Sequence, residues 1–229
     1  MKKRKILIVE DLSKSFEDKR VLKKINFDLN ESEILFLLGK NGVGKSTLIK
    51  IIAGIILKDS GKIQLINKNL RDNIGYISSN DRSFFFRLTA FENLKYFSMM
   101  RNISAVEAEH EINRLANALA LNESRLHKKV MELSSGEKKK VAIIRAFIHN
   151  PELLLLDEPT ESLDASSREY FYKLLEEKIS SNKIKACIFT THQIQECLNL
   201  GSKCLILGES SSKMIIKDDF SKENLLGIG

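Results

Sequence analysis

The sequence predicts an α/β fold: a mainly parallel sheet with an antiparallel N-terminal β portion, and a helical subdomain inserted at about residues 80–140. Three observations predict it. Wholly apolar runs, Ile34 to Leu38 and Leu153 to Leu156, have the length and character of strands buried on both faces. After Ser134, helical and strand patterns alternate, which implies parallel strands joined by helices. Between about Thr89 and Leu121 the pattern is helical without strands, so that stretch stands apart from the sheet.

Taken in order, the N-terminal fifth reads as strands. Val21, Ile25, Phe27 and Leu29 fall largely on one parity, as a half-buried strand requires. The buried run Ile34 to Leu38 leads into a glycine-rich turn, Gly39 to Gly44, and then a helix whose face carries Leu48, Ile51, Ile52 and Ile55. Lys58-Asp59-Ser60-Gly61 is a turn, and short strands follow near Ile63 to Ile66 and Ile74 to Ile77. In the helical middle, Ser104 and Glu107 have capping-box spacing. The last third gives a helix to about Ile148, a strand Leu153 to Leu156, a helix from about Ser166 to Ile179, a strand Ala186 to Thr190, and a short helix after His192.

Composition limits what such a chain can be. Its 229 residues, 43% of them hydrophobic, suffice for one domain with a real core and not for two full-sized ones. Two Pro and 11 Gly are too few for a disordered chain. No apolar run approaches the roughly 20 residues that cross a bilayer. Glu10 and Asp11 end the run Ile6 to Val9 too early for a signal peptide. A soluble, cytosolic chain is expected. Cys187, Cys197 and Cys204 are odd in number and lack CxxC spacing, so they read as buried small hydrophobes. His110-Glu111 lacks the second histidine of a zinc motif, because Arg114 stands there. The net charge of +7 describes surface potential and leaves the partner open.

Three segments carry chemistry. Gly39-Lys40-Asn41-Gly42-Val43-Gly44-Lys45-Ser46 is a full G-x-x-x-x-G-K-S between an apolar strand and a helix. By chance it arises in roughly one chain per hundred of this length, and the strand–loop–helix setting makes it rarer. Its glycines let backbone N–H groups surround phosphate oxygens, Lys45 can hold the β- and γ-phosphates, and Ser46 can ligate Mg²⁺. The strand Leu153 to Leu156 ends in Asp157 and Glu158, at the sheet edge where open α/β folds bind ligands. Asp157 there suits Mg²⁺, and Glu158 suits proton abstraction from an attacking water. Leu133-Ser134-Ser135-Gly136-Glu137 is a capped helix start whose N–H groups form an anion site.

With these in order, the chain resembles the ATP-binding subunits of ABC transporters, over roughly Phe16 to His192. Gly39 to Thr47 is similar to the Walker A loop of P-loop NTPases, and Leu133 to Glu137 to the signature sequence, with Ser135 and Glu137 where glycine and glutamine are usual. Leu153 to Glu158 resembles Walker B, Ser162-Leu163-Asp164 the D-loop, and His192 the switch histidine; Phe16 stands where the family stacks an aromatic on adenine. The family's usual glutamine is missing after Ile77, where Ser78-Ser79-Asn80 stands; Ser79 takes its place by alignment, with Asn80 the other candidate toward Mg²⁺.

The resemblance implies ATP and Mg²⁺ as ligands and a homodimer that sandwiches ATP. Each nucleotide would lie between Gly39, Asn41, Gly42, Gly44, Lys45, Ser46 and Thr47 of one chain and Ser134 and Gly136 of the other, with Asp164 of the D-loop a further nucleotide contact. It implies a separate transmembrane permease subunit, a location on the inner face of the membrane, and no stable nucleic-acid partner. The stretch Asp81 to Phe97, with Phe84-Phe85-Phe86, is similar to export-type members, and one or more of these rings is expected to line the groove for a membrane-subunit helix. The alternative is a soluble ATPase of the same superfamily acting on nucleic acid or ribosomes, where basic charge suits phosphate backbones.

Overall fold

The structure, a computed structural model, describes residues 4–66, 73–79, 83–208, 212–221 and 224–225. The chain divides into two compact units: Met1–Tyr76 with Glu152–Asp157 and Ile184–Gly229, and Ile77–Pro151 with Glu158–Lys183.

The first unit holds two sheets. Long strands β1 (Lys5–Phe16) and β2 (Lys19–Asn30) pair antiparallel, and β4 (Ser60–Leu65) joins β1 on its other side. The second sheet has the order β5-β6-β7-β3-β8-β9, from β3 (Glu33–Leu38), β5 (Ile74–Ile77), β6 (Leu153–Asp157), β7 (Ala186–Thr190), β8 (Lys203–Leu207) and β9 (Ser212–Ile216). Strands β6, β7, β3 and β8 run parallel, and β9 is antiparallel to β8. Every residue of β3, β6 and β7 is buried, which is why these segments read as unbroken apolar runs. The fold class is thus the expected one.

Helix α1 (Lys45–Ile52) leaves β3 and packs against β6 and β7 through a face containing Leu48, Ile49, Ile51 and Ile52. Helix α7 (Ile194–Leu200) packs on β3. The core of this unit runs from Leu7, Val9 and Leu12 through Leu35 and Leu37 to Leu153, Leu155 and Ile188.

Several readings needed correction. Ile55 lies past the end of α1 and is 58% exposed, so it is not on that helix's buried face, and Ser60 and Gly61 open β4 instead of closing a turn. Leu22, not Val21, is buried on β2, because the register between β1 and β2 shifts between Leu12 and Lys14 and Lys24 takes a left-handed φ of 45°. Such a bulge adds a residue and reverses the parity of everything before it. Strands β8 and β9 were not foreseen, although Cys204 to Leu207 is an apolar run of strand length.

The second unit is helical: α2 (Ala90–Met99), α3 (Ala105–Ala118), the single turn α4 (Glu123–Leu126), α5 (Ser135–Phe147) and α6 (Ala165–Ser180). Thr89, Ser104 and Ser134 each close a capping box with the glutamate three residues on. At its centre Lys178, 1% exposed, donates to Asn150 Oδ1 at 2.7 Å and lies 3.3 Å from Glu111 Oε1, which also receives Arg114. Burial draws the Lys178 amine below its ordinary range, and the Glu111 carboxylate opposes that shift.

Candidate nucleotide site

The loop between β3 and α1 is built on left-handed backbone. Gly39, Gly42 and Gly44 take φ of 141°, 78° and 112°, values that any Cβ would strain. At Gly39 a Cβ would also run into the carbonyl of Leu207 on β8. No side chain caps α1, and no acidic residue lies in its first turn, so its positive end is open to an anion. Lys45, 6% exposed, folds back along the loop, its amine 2.7 Å from the Gly39 carbonyl and 3.0 Å from that of Lys40. Asn41 and Gly42 are exposed, and Ser46 and Thr47 half-buried.

At the end of β6, Asp157 is fully buried. Its Oδ1 accepts from the hydroxyls of Ser46 and Thr190, each at 2.9 Å. Its Oδ2 has no hydrogen-bond partner among the described residues. A buried carboxylate with one oxygen bare, beside a serine hydroxyl at the head of a phosphate-type loop, is a hard oxygen donor set. That set fits Mg²⁺. Thr190 was missed in the sequence, although its place at the end of a buried strand two residues before His192 was a signal.

His192 is exposed, in a loop that Thr191 shapes: its hydroxyl donates to buried Glu196 and accepts the Gln193 N–H at 2.9 Å. Phe16 is 44% exposed at the end of β1, with the Lys14 amine 5.2 Å from its ring centre.

In the second unit, Ser134 caps α5 by accepting the Glu137 N–H at 3.2 Å, while its own N–H donates to the Glu137 carboxylate at 2.8 Å. That backbone hydrogen bond holds Glu137 below the usual carboxylate range, against a smaller opposing effect of burial. Glu158 is half-buried with a left-handed φ of 51°, and its carbonyl accepts from Lys139 Nζ at 3.1 Å. Asp164 caps α6 by accepting the Ser167 N–H at 2.7 Å. Ser79 is half-buried just past β5, and Asn80 lies outside the described residues, as do Asp81 and Arg82. Among the described residues no cluster of His, Cys, Asp and Glu could hold a metal, and no helix is long and apolar enough to cross a membrane. The three cysteines are buried and free.

The chain is similar to known proteins in sequence and fold. The family model described as ABC transporter matches residues 22–161, more than half of the chain. The chain is 34% identical over 208 residues to the ergothioneine transport ATP-binding protein EgtV of Helicobacter pylori (strain G27), covering 88% of this chain and 97% of that one. It is 35% identical to the molybdate/tungstate import ATP-binding protein WtpC of Pyrococcus abyssi (strain GE5 / Orsay), over 86% of this chain but only 58% of WtpC. A solved ATP-binding subunit of an ABC transporter superposes with a TM-score of 0.84 at 28% identity, covering 97% of this chain and 94% of that one. Of the two sequence relatives, the one whose name states a direction is an importer, against the export-type leaning of the Phe84 to Leu94 stretch.

Proposed function

The chain belongs to the ABC transporter family as an ATP-binding subunit, and from that premise we propose that it hydrolyses ATP with Mg²⁺ to drive a separately encoded membrane subunit. The observation that carries this reading is Asp157: buried, joined to Ser46, with one carboxylate oxygen bare.

The loop N–H groups and the head of α1 bind the phosphates, and Lys45 exchanges the carbonyls of Gly39 and Lys40 for the β- and γ-phosphates. Ser46 and Asp157 would hold Mg²⁺, with Ser79 as a further contributor. When bound, the ion would offset the negative charge of the phosphates. Glu158 takes a proton as water attacks the γ-phosphorus and the bond to the β-phosphate oxygen breaks. His192 contacts the γ-phosphate, and Phe16 stacks on adenine. Ser134, Gly136 and Asp164 act on the nucleotide of a second copy, so that two ATP molecules tie a homodimer which opens after cleavage.

In this reading all 229 residues form one ATP-binding domain whose segment at about 80–140 is a helical subdomain. It sits on the inner face of the membrane through its permease, as the relatives named as transport subunits suggest. The alternative on nucleic acid or ribosomes draws no support from those relatives.

Glu158→Gln tests the reading. It should bind ATP, dimerise, and lose about 10²–10⁴-fold in turnover, the range a positioned base contributes. Turnover at the wild-type rate would remove Glu158 from the chemistry.

A further inference from the structure

We propose that Lys139 is a positioning residue for Glu158: its ammonium fixes the backbone from which the base projects. The inference rests on the reading of Glu158 as base. Left-handed backbone is disfavoured for a residue with a Cβ, and it persists where the surroundings hold it. At Glu158, φ is 51°, and the carbonyl that this conformation presents accepts two donors, Lys139 Nζ at 3.1 Å and the Glu161 N–H at 3.3 Å. The turn continues through the Leu163 N–H to the Thr160 carbonyl at 3.1 Å, with Ser162 also left-handed at 69°.

Helix α5 grips this turn at two places. Lys139, one turn in, holds its first residue. Gly136 lies so close to its far end that a Cβ there would come 2.8 Å from the Ser162 carbonyl oxygen. Lys139 is only 9% exposed, and lysine is rarely buried to that degree unless its charge is satisfied by a fixed acceptor. The family's signature contact, Ser134 and Gly136, opens the same helix. Engagement of that helix by the partner's phosphate and the aim of Glu158 are therefore carried by one rigid element.

The test uses the full chain with Lys139→Met, which keeps the stem and removes the donor, and Lys139→Gln, which keeps a donor. Lys139→Met should lower kcat about ten- to hundredfold, the effect of a small misplacement of a reacting group, with ATP affinity unchanged. Amide hydrogen exchange over residues 158–163 should rise in Lys139→Met and rise less in Lys139→Gln, whose kcat should fall between. Lys139→Met should add no loss to Glu158→Gln. Unchanged turnover in Lys139→Met, an equal loss in the Glu158→Gln background, or Lys139→Gln no better than Lys139→Met each overturns the proposal. If Glu158→Gln itself turns over normally, the base reading falls instead, and hydrogen exchange still decides whether Lys139 holds the turn.

Discussion

The Ser46 hydroxyl donates to Oδ1 of Asp157 over 2.9 Å, joining residues 111 positions apart in the chain. Thr190 donates to the same oxygen. Among the described residues, Asp157 is thus a buried carboxylate whose hydrogen bonds fall on one oxygen, an arrangement that favours a cation at the other.

Asp157→Asn keeps an acceptor for Ser46 and Thr190 and removes the buried charge. Without nucleotide its Tm should hold or rise, since an uncompensated buried charge costs more than a buried neutral amide. With ATP, the further stabilisation that Mg²⁺ gives the wild type should vanish. Calorimetry with ATP, with and without Mg²⁺, checks both; a Mg²⁺-dependent rise as large as the wild type's would take Asp157 out of the metal site.

Asp164 titrates at about 2 in the folded chain against an ordinary 3.8, first because the Ser167 N–H bonds its carboxylate and then because the Ser167 and Ser166 side chains do. The folded value lies below the unfolded one. Its contribution is therefore complete above the ordinary value and is lost as pH falls through the folded value. Asp164→Asn should flatten the acid limb of the stability–pH curve in that window. A carboxyl NMR titration placing Asp164 at its ordinary value would contradict the cap.

The three adjacent phenylalanines have separate fates. Phe84 is buried, with the Arg145 guanidinium 4.6 Å from its ring centre, whereas Phe85 and Phe86 are 46% and 42% exposed. Phe85 meets Tyr96 edge-on at 5.0 Å. Phe84→Ala should cost about 3–5 kcal/mol as a core truncation. Phe86→Ala should leave stability, ATP affinity and basal turnover intact and weaken co-purification with the permease. Undiminished co-purification would place the docking groove elsewhere.

Much of the site could be read residue by residue because its parts are local. A strand, a glycine turn and a helix start are set by neighbours in sequence, so Gly39 to Ser46 was recognisable without a fold, as was the Ser134–Glu137 capping box. Buried strands β3, β6 and β7 showed as apolar runs for the same reason. The parity of β2 could not be read, because a bulge is fixed by the partner strand and not by residues 21–29 themselves. Lys138, Lys139 and Lys140 looked alike as a basic face; burial alone separates Lys139, and burial depends on what packs over the helix.

The sequence by itself determined the α/β class, the phosphate loop and the acidic end of β6, all written in contiguous residue types and their period. Only the tertiary structure decided that Asp157 takes two hydroxyls on one oxygen and that Lys139 reaches the carbonyl of Glu158. The physical reason is range. A hydrogen bond between distant residues exists only once strand order and helix packing bring them within about 3 Å, and no local pattern encodes that order.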